Sequence, residues 1–270
     1  MTHPRLVADA ATIGYERKVI CDSLSTDIPD RSFTAIIGPN GCGKSTLLRA
    51  FARVLTPSSG TLLLDGRAIK EYRSKEVARR LGLLPQTSLA PDGIRVADLV
   101  ARGRAPHQNL FQQWQASDEA AVAEALAATQ LTELSGELVD ELSGGQRQRV
   151  WVAMLLAQDT DIMLLDEPTT FLDIAHQFEL MELLRAFHER GKTLVAVLHD
   201  LNQAARYADH LVVMKDGEIV TTGAPADVLT ADLVERVFGL PCLVLPDPVT
   251  GTPSVVPKIS RHPHPSEPRS

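Results

Sequence analysis

The sequence predicts an α/β fold: a mostly parallel sheet flanked by helices, with a helical lobe inserted in it. Three observations predict it. Short runs of apolar and β-branched residues recur at 32–37, 61–64, 162–165, 193–198 and 211–214, the pattern of buried strands. Several runs alternate with segments of helical spacing, and such alternation implies parallel pairing through right-handed crossovers. The stretch from about 87 to 141 has a different, mostly helical character.

Residues 5–37 are rich in β-branched and apolar residues broken by turn signals. The run 32–37 (SFTAII) reads as a buried strand entering a glycine-rich turn. From 46 to 54 the spacing is helical, with Leu47, Leu48, Phe51 and Leu55 on one face. Ser58, Ser59 and Gly60 turn into the strand 61–64, which Asp65 and Gly66 close. Residues 105–117 (APHQNLFQQWQAS) hold no Lys, Arg, Asp or Glu, yet include Phe111 and Trp114. Residues 117–141 carry seven acidic residues and no basic one. Ser117 before Asp118 and Glu119 predicts a helix start, because anions favour the positive end of the helix dipole. Leu180, Leu183, Leu184 and Phe187 are helix-spaced, and Gly191 predicts the stop. Eight of the seventeen prolines fall within 241–270. That excludes regular helix there, and 258–270 is expected to be a disordered tail.

The 270 residues include 27 basic and 34 acidic side chains, for a net charge of −7. Mean hydropathy is −0.02, the make-up of a soluble globular protein. No apolar run approaches the roughly 20 residues that span a bilayer. The N-terminus lacks the apolar stretch of a secretory signal. The acidic total disfavours nucleic acid as a partner, since phosphate backbones want a positive surface. Cys21, Cys42 and Cys242 are too widely spaced for a disulfide framework or zinc cluster, which fits a reducing compartment.

Gly38, Pro39, Asn40, Gly41, Cys42, Gly43, Lys44 and Ser45 match the phosphate-loop pattern G-x-x-x-x-G-K-[ST], between a predicted strand and a predicted helix. Glycines let backbone N–H groups curl around a β-phosphate, and the helix N-terminus adds positive partial charge. Lys44 can reach β- and γ-phosphates, and the Ser45 hydroxyl can ligate Mg²⁺. Cys42 falls at a variable position and reads as a small filler. Far downstream, 162–168 (IMLLDEP) places Asp166 and Glu167 at the end of a buried strand, where open parallel sheets bind ligands. Asp166 is placed to hold Mg²⁺ through water. Glu167 is placed to polarise a water for in-line attack on the γ-phosphate.

Residues 142–149 (LSGGQRQR) precede an apolar helix. Ser143 at a helix N-terminus, with Gly144 and Gly145 exposing N–H groups, is a second anion cradle. Two cradles and one lysine-bearing loop suit a head-to-tail dimer in which each cradle completes the partner's site. Arg147 and Arg149 read as a solvated helix face.

With LSGGQ in place, the chain resembles the ATP-binding subunits of ABC transporters over roughly residues 5–240. The resemblance implies a P-loop NTPase core with an N-terminal antiparallel β subdomain. It implies one ATPase domain over 1–257, with a helical subdomain inserted at about 87–157. It also implies residue roles. Tyr15 stacks on adenine. Residues 38–46, Thr46 included, bind the nucleotide. Gln86 touches Mg²⁺ and the attacking water and senses the membrane partner. Ser143, Gly144, Gly145 and Gln146 bind the ATP of the opposite subunit. Asp173 is the D-loop residue, and His199 contacts the γ-phosphate. ATP and Mg²⁺ are the implied cofactors. A homodimer, two membrane permease subunits and, indirectly, a substrate-binding protein are the implied partners, at the cytoplasmic face of the cell membrane.

The stretch 105–117 is the candidate docking surface for the permease. Residues 103–108 (GRAPHQ), with Leu110, Phe111 and Trp114, are similar to the ATPases of ferric-siderophore importers. So is the stretch from Leu198 to Gly239. Haem and cobalamin importers share much of both, so those cargoes remain open. Two other classes stand as rivals. A non-transport ABC ATPase usually carries coiled-coil or zinc insertions or a second cassette, none of which is visible. A scaffold that binds ATP without turnover fits poorly with Glu167 and His199.

Overall fold

The computed structural model describes residues 4–16, 18–87, 89–108 and 114–258. Two strands open the chain. β1 (Leu6–Tyr15) and β2 (Lys18–Ile28) pair antiparallel, with Leu6 opposite Ile28 and Ile13 opposite Cys21. β3 (Phe33–Ile37) is buried along its whole length. It has no polar alternation because both of its faces are covered. α1 (Lys44–Phe51) follows the glycine-rich turn. β4 (Ser59–Leu64) and β5 (Arg67–Ala68) then return to the first sheet, ordered β2-β1-β4-β5. The strand predicted at 61–64 pairs antiparallel with β1, within the N-terminal antiparallel β subdomain that the resemblance implies.

α2 (Ser74–Arg80) leads into β6 (Leu81–Leu84). The lobe that follows contains α3 (Val96–Ala101), α4 (Ala116–Ala128) and α5 (Gly144–Ala157). The core resumes with β7 (Ile162–Asp166), α6 (Ile174–Glu189), β8 (Thr193–Val197), α7 (Leu201–Tyr207) and β9 (His210–Lys215). β10 (Glu218–Gly223), α8 (Pro225–Val228) and α9 (Ala231–Phe238) come next. A hairpin of β11 (Cys242–Pro246) and β12 (Pro253–Pro257) ends the described chain.

The central sheet has the order β10-β9-β3-β8-β7-β6. Every pair in it is parallel except β9 with β10. Alternate residues of its strands feed two cores. Ala35, Ile37, Leu165 and Ala196 face one, and Ile36, Leu164, Val195 and Val197 face the other. The second core also takes Leu47, Leu48 and Phe51 of α1 together with Leu6, Ile13 and Leu64 of the first sheet. α1 is therefore wedged between two sheets, which fixes the turn before it.

Two expectations shift. α4 is capped by Gln115 rather than Ser117: Asp118 reaches back to accept the Gln115 N–H at 3.1 Å, the capping-box arrangement. The same carboxylate accepts from buried Arg104 Nε at 2.8 Å, a long-range pairing that local sequence does not reveal. The described part of the proline-rich stretch, residues 241–258, contains no helix, yet it holds a hairpin whose prolines sit at the strand ends. The side chain of Asn202 brackets Val255, accepting its N–H at 2.7 Å and donating to its carbonyl at 3.3 Å. Phe111, with residues 259–270 of the predicted tail, lies outside the described residues. Trp114 is 47 % exposed. Among the described residues no helix is long and apolar enough to cross a membrane.

Phe51 is fully buried, whereas Val54 is 60 % exposed. Phe51→Ala is expected to lower unfolding free energy by about 3–5 kcal/mol, and Val54→Ala to stay within about 0.5 kcal/mol of wild type. Urea unfolding of the two variants measures the contrast.

Candidate active site

The register of the central sheet brings three segments to one edge. Ile36 pairs with Val197, and Val197 pairs with Asp166. The chain leaves β3 into the 38–45 loop, β7 into Glu167, and β8 into His199, all from the carboxyl ends of adjacent strands. This is where an open parallel sheet binds ligands.

The loop is closed by its own lysine. Lys44 is buried, and its Nζ donates to the Gly38 and Pro39 carbonyls at 2.8 and 2.9 Å. Gly43 has φ +104°, and a Cβ there would sit 2.8 Å from Cys21 Sγ. Only glycine fits that backbone and that gap. Asn40, Gly41, Gly43, Lys44, Ser45 and Thr46 line a cleft of about 550 Å³ with Lys18, Ile20, Gln86, Glu167 and His199. Cys42 points inward and is buried. Burial raises its thiol above the usual range and pushes neighbouring Cys21 up to about 11. Both thiols are therefore held neutral.

Asp166 is fully buried. Its Oδ1 accepts from Ser45 Oγ at 2.6 Å, and Arg49 Nη2 lies 3.4 Å from Oδ2. Burial raises the carboxyl above its ordinary range, and the Ser45 hydrogen bond and Arg49 only partly offset this. Glu167 sits at φ 55°, a backbone region that its surroundings must enforce. Its Oε2 accepts from Gln86 Nε2 at 2.8 Å and Thr170 Oγ1 at 3.3 Å, and its Oε1 lies 2.7 Å from His199 Nε2. Gln86, Glu167 and His199, distant in sequence, thus form one cluster beside the loop.

The other predicted residues lie apart. Tyr15 is 40 % exposed at the end of β1, and its hydroxyl accepts from Arg49 Nη1 at 3.3 Å. Ser143 caps α5: its Oγ accepts from the Gln146 N–H at 3.2 Å, and Gln146 Oε1 accepts from the Ser143 N–H at 3.0 Å. Asp173 caps α6, accepting the His176 N–H at 2.9 Å, which holds its carboxyl below the usual range. Ser143, Gly145, Gln146 and Asp173 line a second cleft of about 400 Å³ with Arg149, Phe171 and His176. The two clefts have no lining residue in common. One chain therefore does not bring its own signature to its own loop.

Arg149, read from sequence as solvated, is largely covered and paired with Glu179 at 2.6 Å. Arg49 was missed. It lies four residues after Ser45 on α1, the spacing that puts both on one helix face. Lys18 and Ile20 reach the cleft from β2 by tertiary packing and carry no local signal.

The ABC transporter family model matches residues 21–170. The ferric enterobactin transport ATP-binding protein FepC of Escherichia coli is 58 % identical over 254 residues, covering 94 % of each chain. This chain belongs to the ABC transporter family. Among solved structures, a metal-chelate type ABC transporter in an inward-facing conformation superposes with TM-score 0.80 at 27 % identity, covering 95 % of this chain and 98 % of that one. The dimeric structure of the bacterial ABC transporter cassette MJ0796 superposes with TM-score 0.72 at 25 % identity, covering 81 % of this chain and 98 % of that one. As an ABC ATPase, the chain binds and hydrolyses ATP.

The raised Asp166 carboxyl makes its ionised form unfavourable to folding. No such cost applies below the ordinary carboxylate range, and stability is lost as pH rises from there through the raised value. Asp166→Asn is therefore expected to raise the nucleotide-free Tm at pH 8, with the gain closing as pH falls through the carboxylate range. Thermal scans across pH give the comparison.

Proposed function

We propose that this chain is the ATP-hydrolysing motor of an ABC importer for iron(III)–siderophore complexes. The observation that carries the cargo is the 58 % identity to the ferric enterobactin ATP-binding protein along 94 % of both chains. The chain works as part of a dimer with membrane permease subunits. In the finer reading, two copies engage two permeases at the cytoplasmic face of the membrane, supplied by a substrate-binding protein. Residues 105–117 contribute to the docking surface. The domain spans 1–257, and 258–270 is an appended tail.

Two clefts, each lacking what the other has, support a head-to-tail dimer. The 38–46 loop of one copy would cradle the phosphates, with Lys44 on the β- and γ-phosphates and Tyr15 against adenine. Ser143 to Gln146 of the second copy would close on the γ-phosphate, and Asp173 would meet the opposite subunit. Asp166 Oδ2 is buried and meets no donor in hydrogen-bond geometry, although the Arg49 guanidinium lies 3.4 Å away as an ion-pair partner. With Ser45 Oγ, this oxygen forms an all-oxygen donor pair suited to Mg²⁺. Asp166, through water, and Ser45 and Gln86 would hold the ion, which supplies positive charge against the phosphate oxygens.

Glu167 takes the proton of the attacking water as its oxygen bonds the γ-phosphorus and ADP leaves. Gln86 orients that carboxylate and water. His199 holds the γ-phosphate and fixes Glu167 from its other oxygen. The closed dimer binds ATP more tightly than the open one, and that difference is the work available to the permease.

Glu167→Gln is expected to keep ATP binding, to lower turnover by about 10²–10⁴-fold, and to trap an ATP-dependent dimer in size-exclusion chromatography. Wild-type turnover in that variant would remove Glu167 from its role. In vesicles carrying the permease, uptake of a ferric siderophore but not of haem is the result that the cargo assignment requires.

A further inference from the structure

The helix that carries the signature is braced against the segment that carries Glu167. Gln148 Nε2 donates to the Pro168 carbonyl at 3.1 Å, and Pro168 immediately follows Glu167. On the next residue, Arg149 Nη2 pairs with Glu179 Oε2 of α6 at 2.6 Å. At the start of the same helix, Gly145 faces Leu172, whose Cδ2 lies at ordinary van der Waals distance, 3.4 Å, from where a Cβ would stand. All three contacts join the first two turns of α5 to residues 168–179. Phe171, Asp173 and His176 of that segment share the cleft of the signature, but the residue immediately before Pro168 does not. Ser143 and Gln146 line the signature cleft, and Glu167 lines the other. In the composite dimer, α5 belongs to the opposite nucleotide site and Glu167 to its own.

We infer that Gln148 is a positioning residue that couples the two ATP sites, an inference that rests on the composite-site reading above. Engagement of the signature by the opposite subunit's nucleotide moves α5. The Gln148–Pro168 hydrogen bond carries that movement into the backbone that aims Glu167. Glu167 is well placed to feel it. Its positive φ of 55° is held only by its surroundings. Its two carboxylate oxygens are divided among Gln86, Thr170 and His199, so a small rotation redistributes all three contacts. Gln148 lines neither cleft, so its effect is on the coupling free energy between sites rather than on contact with ATP.

The test uses the full-length chain assembled with its permease, as wild type, Gln148→Leu and Gln148→Lys. ATP turnover is measured against ATP concentration. Wild type is expected to show a Hill coefficient above about 1, towards the limit of about 2 set by two sites. Gln148→Leu removes the donor at similar volume. Its Hill coefficient is expected to be about 1, with kcat lowered roughly five- to tenfold, the rate equivalent of one hydrogen bond. ATP affinity in the Glu167→Gln background is expected to be unchanged by it. Gln148→Lys, which restores a donor, is expected to recover cooperativity. The inference is overturned if Gln148→Leu stays as cooperative as wild type, if wild type is itself non-cooperative, or if Gln148→Lys behaves like Gln148→Leu. It is equally overturned if Gln148→Leu weakens ATP binding, which would make Gln148 a residue of the fold. Loss of the Glu167→Gln trap would instead strike the motor reading, so the two failures are separable.

Discussion

The parallel register of β3, β8 and β7 is the constraint on which the site depends. Ile36, Val197 and Asp166 lie side by side across three buried strands, so each chain exit is fixed relative to the others. A slip of one residue in any strand would turn its side chains to the opposite core and withdraw the phosphate loop, Glu167 or His199 from the edge. The 2.6 Å contact between Ser45 and Asp166 has this origin. It joins α1 to β7 because β3 and β7 are held one strand apart, with β8 between them. Phe51 and its neighbours then keep α1 from rotating between the two sheets.

This rigidity contrasts with the proposed division of the chemistry between copies. The loop and its carboxylates form a nearly complete half-site, while the signature occupies a different cleft of the same chain. In the proposed site, Lys44, closed onto the Gly38 and Pro39 carbonyls, would exchange these acceptors for phosphate oxygens when nucleotide arrives. The capping box of Ser143 and Gln146 preorganises the N-terminus of α5, whose free N–H groups and dipole remain directed at an anion. A motor needs a rigid half and a movable counterpart. Among the polar contacts between the helical lobe and the core are those of Gln148 with Pro168 and Arg149 with Glu179, beside the segment that carries Glu167.

Much of this was legible in the sequence, and for physical reasons. β3, β7, β8 and β9 are short apolar runs because both faces of the central sheet are covered, and such strands announce themselves locally. The phosphate loop and LSGGQ combine glycine freedom, a cap and a helix start within a few residues, so their geometry is encoded where they stand. What was not legible depends on distant partners. Asp118 belongs to Arg104 and shifts the start of α4. Arg49 acquires its meaning only once β7 lies alongside α1. The prolines of 241–257 exclude helix, yet hairpin pairing required α7 and Asn202 as a platform. Lys18 and Ile20 reach the cleft from β2, a strand of the other sheet.

The central claim is that a second copy completes each ATP site. Cross-linking between separately tagged chains tests it directly. One chain carries Asn40→Cys in the exposed part of the loop and the other Ser143→Cys, both in the Glu167→Gln background with Cys21, Cys42 and Cys242 changed to alanine. Because the two cysteines are on different chains, a disulfide between differently tagged copies must be intermolecular. The account predicts that this cross-link forms in the presence of MgATP and is suppressed without nucleotide. A yield that is absent, or the same with and without ATP, would contradict it.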